Sequence, residues 1–138
     1  VLWLALVLLG GKRGREAGIL LLFSFLLSDQ LSSRLLKNLI RSPRPFQIFP
    51  DVYLLVGKSS SFGFPSTHTS NIFALSTTLA LYYPRSAFFL YPLALMVGFS
   101  RMYVGVHFPS DVIGGACLGS LCAWGVVRAY QHLKKSRK

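Results

Sequence analysis

Apolar runs long enough to cross a bilayer, divided by short clusters of Lys and Arg, constrain this chain more than any other feature. A spanning helix needs about 20 mostly apolar residues. Residues 17–36 are long enough, although Asp29, Gln30 and Arg34 interrupt their second half. Residues 71–83 extend a helix expected to begin near Ser66, and residues 86–103 form the next run after a Pro84-Arg85 turn. Residues 112–130, rich in Gly and Ala, form the last, and small residues such as Gly114, Gly115, Ala116 and Gly119 let helices approach closely in lipid. Residues 1–9 are too few for a span and read as the end of a truncated first one, with its start expected to be missing because the chain opens on Val1. No signal peptide is expected, since no charge precedes "VLWLALVLLG" and no small-residue cleavage pattern follows it. The predicted fold class is all-α: a polytopic transmembrane helical bundle, residues 1–138 forming a single domain with four clear spans and a truncated first one.

Composition agrees. Hydrophobic residues make up 52% of the chain and charged ones 14%, against roughly 25% charged in soluble domains. The net charge of +11 would suggest nucleic acid if the basic residues shared a soluble face. Instead Lys12, Arg13 and Arg15 form one cluster, Lys134, Lys135, Arg137 and Lys138 another, and most of the rest fall between residues 34 and 58. Clusters between apolar runs read as loops and tails beside a bilayer, so the expected partner is the membrane and not nucleic acid. Cys117 and Cys122 lie in the last apolar run without a ligand spacing, and read as small buried apolar residues.

The one long polar connection lies between Lys37 and Pro65. Loops beyond about 12 to 15 residues are usually functional or disordered, and Phe46, Phe49, Phe62 and Phe64 argue against plain disorder. They pack the loop onto the helices or dip into the interface, packing being the simpler expectation. The positive-inside rule places the Lys12 to Arg15 loop, the Pro84-Arg85 turn and the "KKSRK" tail on the cytoplasmic side. The opposite side then receives Lys37, Arg41, Arg44 and Arg101, which the rule tolerates only if they bind something anionic.

Three stretches fall on that opposite face. "KNLIRSPRP" separates Lys37 from Arg44 by six residues; "PSTH" runs from Pro65 to His68; "SRMYVGVHFPSD" places Arg101 six residues before His107 and Asp111 four after it. Three cations with few local acids call for an anion, because charge near a membrane is costly unless paired or engaged. Arg offers a fork for two phosphate oxygens, Lys a point charge. Ser66 adds a hydroxyl, and the amides after Pro65 open a helix whose positive end favours the same charge. At such a cradle histidine can serve as a nucleophile or as a general acid. Asp111, bonded to one ring nitrogen of His107, would fix the tautomer and leave the other nitrogen free to attack. His107 is therefore the candidate nucleophile and His68 the candidate acid, with the cations stabilising the transferring phosphoryl group. His132, in the basic tail, has no expected role.

The pattern KxxxxxxRP, PSxH and SRxxxxxHxxxD, over residues 37 to 111, resembles the signature of the type 2 phosphatidic acid phosphatase (PAP2) family, relatives of bacterial class A acid phosphatases and vanadium haloperoxidases. The resemblance implies a membrane core of about six helices with its site on the non-cytoplasmic face. It implies that His107 attacks phosphorus to give a phosphohistidine, that Asp111 orients it, that His68 protonates the leaving group, and that Lys37, Arg44, Ser66, the Thr67 amide and Arg101 hold the phosphate. No metal or other cofactor is implied. The family usually has Gly where this chain has Thr67, and a positive φ there would strain a branched residue.

The expected function is an integral membrane phosphatase acting on a lipid phosphate or diphosphate monoester of the undecaprenyl diphosphate, phosphatidylglycerophosphate, phosphatidate or lipid A type. The expected location is a bacterial inner membrane, with the site on the periplasmic face. The alternatives are a non-catalytic lipid-phosphate binder or transporter on the same scaffold, and a metal-dependent hydrolase with His68, His107 and Asp111 as ligands. The second is disfavoured because the three nearby cations would repel the ion.

Overall fold

The computed structural model describes residues 2–58 and 60–137, and every regular element among them is helical. Helix α1 (Leu2–Leu9) turns sharply into α2 (Gly11–Gln30), where Gly11 takes the left-handed φ of 59° that a side chain would resist. α2 runs on through a π-helical segment (Leu31–Leu36) into the short α3 (Lys37–Ile40). After α4 (Pro45–Ile48) and an irregular stretch come α5 (Thr67–Tyr82), a 3-10 turn (Pro84–Ser86), α6 (Ala87–Tyr103) and α7 (Pro109–Ser136).

The interior mixes hydroxyl side chains with small apolar ones such as Ala17, Ala74, Ala94 and Ala123, and the largest apolar residues lie outside. Ser24, Ser28, Ser32, Thr69, Ser70, Ser76 and Thr78 are fully or almost fully buried, whereas Leu9, Leu39, Phe88, Phe89, Met96, Ile113 and Leu121 are well exposed. Water would not sustain that distribution, but lipid does: helix association there depends on close packing of small residues and on hydrogen bonds between helices. The chain is an integral membrane protein.

α5 is the central helix and packs against α2, α6 and most extensively α7. The Ser28 and Ser70 hydroxyls meet at 2.7 Å between α2 and α5. Thr77 Oγ1 lies 3.1 Å from the Tyr91 hydroxyl of α6 and 3.3 Å from Ser120 Oγ of α7. α7 turns Asp111, Gly115, Gly119 and Ala123 toward the bundle, a row at four-residue spacing.

Several expectations change in detail. Lys12, Arg13 and Arg15 lie in the first turns of α2, not in a loop, because Gly10 and Gly11 complete the turn by themselves. Lys134 and Lys135 likewise extend α7, which ends at Ser136. Cys117 is exposed and only Cys122 is buried; Cys117 falls off α7's buried row, and an apolar residue facing lipid does not need protein cover. Of the four expected spans, α7 and the long helix containing α2 meet both length and hydropathy for crossing a membrane. α5 has 16 residues and α6 has 17, about 25 Å at 1.5 Å per residue, shorter than the hydrocarbon core. Phe46, Phe62 and Phe64 are half-buried, as packing of the loop requires, and Phe49 is exposed with its ring edge on Phe108.

Candidate active site

Four helix ends meet at one end of the bundle. α3 begins with Lys37, whose amide donates to the Ser32 carbonyl across the π-helical segment, and Lys37 is buried. π-helical turns inside α-helices frequently mark functional sites. Arg101 lies in the last turn of α6.

The third element is the α5 N-terminus. Ser66 is the N-cap, and its amide donates to the Asp111 carbonyl at 2.9 Å, tying α5 to the start of α7. Thr67 opens the helix, and it is not among the residues with positive φ. The backbone strain feared for a branched residue there does not arise. His68 follows, exposed at the mouth.

The fourth element is the start of α7. Asp111, at the third position, accepts the Phe108 amide through Oδ2 at 2.9 Å, which caps the helix. The same oxygen lies 3.2 Å from His107 Nδ1, with both side chains almost wholly buried. Nδ1 is thereby occupied and Nε2 is the nitrogen left for chemistry. Burial lowers the His107 pKa from the usual value, the Asp111 hydrogen bond partly opposes this, and the Arg44 charge lowers it further. The ring thus stays neutral, the nucleophilic form, to lower pH than a free imidazole. Gly63 makes room behind the carboxylate: a Cβ there would stand 3.2 Å from Asp111 Oδ2 and 3.0 Å from the Pro43 carbonyl.

Lys37, Arg44, Thr67, His68, Arg101 and His107 all line one cavity of about 220 Å³. Asp111 stands behind His107, and Ser66 is fully buried, its Oγ accepting from Thr69 Oγ1 at 3.0 Å. Ser66 is therefore outside the cavity wall, and its placement supports a structural part, as cap and tether.

Arg44 does more than sequence reasoning assigned to it. Nε donates to the Ser61 carbonyl at 2.7 Å and one terminal nitrogen to the Val106 carbonyl at 3.0 Å. The other donates to Ser61 Oγ at 2.9 Å and to the Phe62 carbonyl at 3.3 Å. Among the described residues four of its five N–H groups are thus engaged with protein, which leaves one for a ligand. Its charge faces the cavity while its hydrogen bonds hold residues 61 and 62 and the residue before His107. Arg44→Lys keeps the charge and loses most of these bonds, leaving the buried Val106 carbonyl unpaired at about 1–3 kcal/mol. The expected outcome is a lower melting temperature in detergent together with a loss of activity, measured on the same preparation.

A cationic cavity carrying two histidines, set at the end of a bundle whose exterior is apolar, defines a class of polytopic membrane protein with a site at one end of its helices. Residues 17–135 match the PAP2 superfamily, and the chain belongs to that family. It is 38% identical over 110 residues to an undecaprenyl-diphosphatase of Sulfolobus acidocaldarius, covering 79% of this chain and 53% of that protein. Its fold is similar to the crystal structure of Aquifex aeolicus LpxE, with a TM-score of 0.77 at 31% identity over 93% of this chain and 76% of that one. It is also similar to the transmembrane PAP2-type phosphatidylglycerolphosphate phosphatase of Bacillus subtilis, with a TM-score of 0.68 at 33% identity over 83% of this chain and 59% of that one. The chain spans about half the length of the curated relatives it matches.

Proposed function

We infer that the chain is the catalytic part of a lipid phosphatase that works through a phosphohistidine and without a metal. The observation that carries this reading is the convergence of His107, oriented by Asp111, with His68, Lys37, Arg44 and Arg101 on one cavity. His107 Nε2 attacks phosphorus, the bond from phosphorus to the bridging oxygen breaks, and His68 gives that oxygen its proton. Water then attacks the phosphohistidine, His68 taking a proton from it, and inorganic phosphate leaves with His107 restored. Lys37, Arg101 and the free N–H of Arg44 neutralise the charge on the equatorial oxygens in both steps.

The substrate reading follows from position. The cavity lies at the end of the bundle, where a lipid headgroup meets water. We place this end on the non-cytoplasmic face of a bacterial inner membrane. The opposite end gathers Arg13, which donates to the Tyr82 carbonyl, and Lys134, paired with Glu16 at 2.6 Å. Arg85 lies in the turn after Tyr82. Those cations obey the positive-inside rule, while those at the other end line the site.

The test is phosphate release in detergent with EDTA from a panel of lipid phosphates and diphosphates, together with p-nitrophenyl phosphate. Retention of activity in the chelator is expected, and its loss would favour the metal-dependent alternative. His68→Ala is expected to slow lipid phosphates by about 10²- to 10⁴-fold and p-nitrophenyl phosphate far less, because nitrophenolate leaves without protonation. Equal losses on both would remove His68 from the acid's role. A folded wild type that binds lipid phosphate and releases none would favour the non-catalytic binder.

A further inference from the structure

Asp29 sits in the long apolar helix, within electrostatic reach of the buried Lys37 but in no direct ion pair among the described residues. Among the described residues the ion pairs are His107 with Asp111 and Lys134 with Glu16. Its Oδ1 accepts the Asn71 amide of α5 at 2.8 Å, and Oδ2 has no hydrogen-bond partner among them. A carboxylate without a direct ion pair in a membrane-spanning helix is expensive and calls for a functional reason.

Its position supplies one. Asp29 lines a groove of about 400 Å³ whose other walls are Phe25 of α2, Ile72 and Leu75 of α5 and Val97 of α6. The groove meets the phosphate cavity at Thr67 and His68, which line both. If His68 protonates the bridging oxygen, the first atoms of the leaving group lie at that junction and its lipid portion follows the apolar walls.

We propose that Asp29 is a specificity-determining residue that selects leaving groups carrying a hydrogen-bond donor beside the phosphoester, such as glycerol or sugar, over leaving groups carrying a second phosphate. This rests on the phosphatase reading above. The free carboxylate oxygen accepts a hydroxyl or amide N–H from the leaving group. The same charge repels the inner phosphate of a diphosphate, which would occupy the same junction. Asn71 holds the carboxylate toward the groove: its amide nitrogen faces Oδ1 of Asp29, which leaves its own Oδ1 buried and without a partner among the described residues. Repulsion against the wrong ligand and attraction for the right one act through one residue.

The test compares kcat/KM of wild type and Asp29→Asn, in the full chain in detergent, on four compounds. These are phosphatidylglycerophosphate, whose leaving glycerol has a free neighbouring hydroxyl; phosphatidate, which has an ester there; a polyprenyl diphosphate; and p-nitrophenyl phosphate. Asn keeps an acceptor for Asn71 and removes the charge. Wild type is expected to favour phosphatidylglycerophosphate over the diphosphate by about tenfold or more, and Asp29→Asn to shrink that ratio by about tenfold, with a smaller change on p-nitrophenyl phosphate, whose phosphate feels Asp29 only through Lys37. A glucosamine-phosphate lipid in a parallel arm separates a sugar from a glycerol leaving group by rate. An unchanged ratio, or an equal loss on all four compounds, overturns the proposal while His107-dependent release leaves the phosphatase reading standing. A wild type that releases phosphate from none of them overturns both.

Discussion

His107→Ala is expected to abolish phosphate release, by about 10³-fold or more, the scale on which removal of a nucleophile acts in a covalent mechanism. The basis is local: Asp111 Oδ2 lies 3.2 Å from Nδ1, so Nε2 alone is available to phosphorus, and among the described residues no second imidazole is oriented by a carboxylate. Binding should suffer less, since Lys37, Arg44 and Arg101 remain. The variant is therefore expected to retain affinity for a lipid phosphate that it cannot cleave, and to lose the acid-labile phosphoryl label that wild type acquires on brief exposure to labelled substrate. The pH dependence carries the same assignment. Burial, with Arg44 and Lys37 adding to it and Asp111 opposing it, holds the His107 pKa below the usual value. The ring stays neutral to lower pH than a free imidazole, so the acid limb of kcat/KM is expected below the ordinary histidine range and not within it. His107→Ala releasing phosphate at the wild-type rate would sink the mechanism.

What could be read from the chain and what could not divide along physical lines. His107 and Asp111 are four residues apart at a helix start, and Ser66 caps a helix that Thr67 opens; such relations repeat with the helix period and leave a pattern in sequence. The convergence of the three motifs was legible too, because charge is too costly in lipid to be scattered without use. The clamp on Arg44 was not legible. Its acceptors are carbonyls of Ser61, Phe62 and Val106, and a backbone carbonyl is the same for every residue. Ser61 lay in a run of serines with nothing to single it out. Asp29 was visible only as an interruption, since its meaning depends on the groove that α5 and α6 build beside it. Charge also misplaced the helix starts. Lys12 to Arg15 read as loop, yet long basic side chains extend from a helix end to water without unwinding it.

The largest effect on stability is expected at Gly119. α5 carries the acid and the cap, α7 carries the nucleophile's orienting carboxylate, and the two pack over a row of glycines. A Cβ at Gly119 would stand 1.9 Å from the Ser70 carbonyl oxygen, and one at Gly115 2.6 Å from that of Ser66. Neither oxygen can turn aside, because each belongs to the backbone of α5. Gly119→Val therefore has to drive the helices apart, beyond the about 1–3 kcal/mol typical of overpacking against side chains that yield. Separation at that point loosens the Ser66 amide from the Asp111 carbonyl and so moves His68 away from the cavity it shares with His107. Loss of activity and of the folded state in detergent should therefore come together. Gly125 supplies the contrast on the same helix: nothing lies within 4 Å of a Cβ there, and Gly125→Ala is expected to stabilise by up to about 1 kcal/mol through helix propensity. Thermal melting of both variants by size-exclusion in detergent, read beside their phosphatase rates, checks the pair. A Gly119→Val protein that melts like wild type would mean that α5 and α7 do not touch where this packing requires.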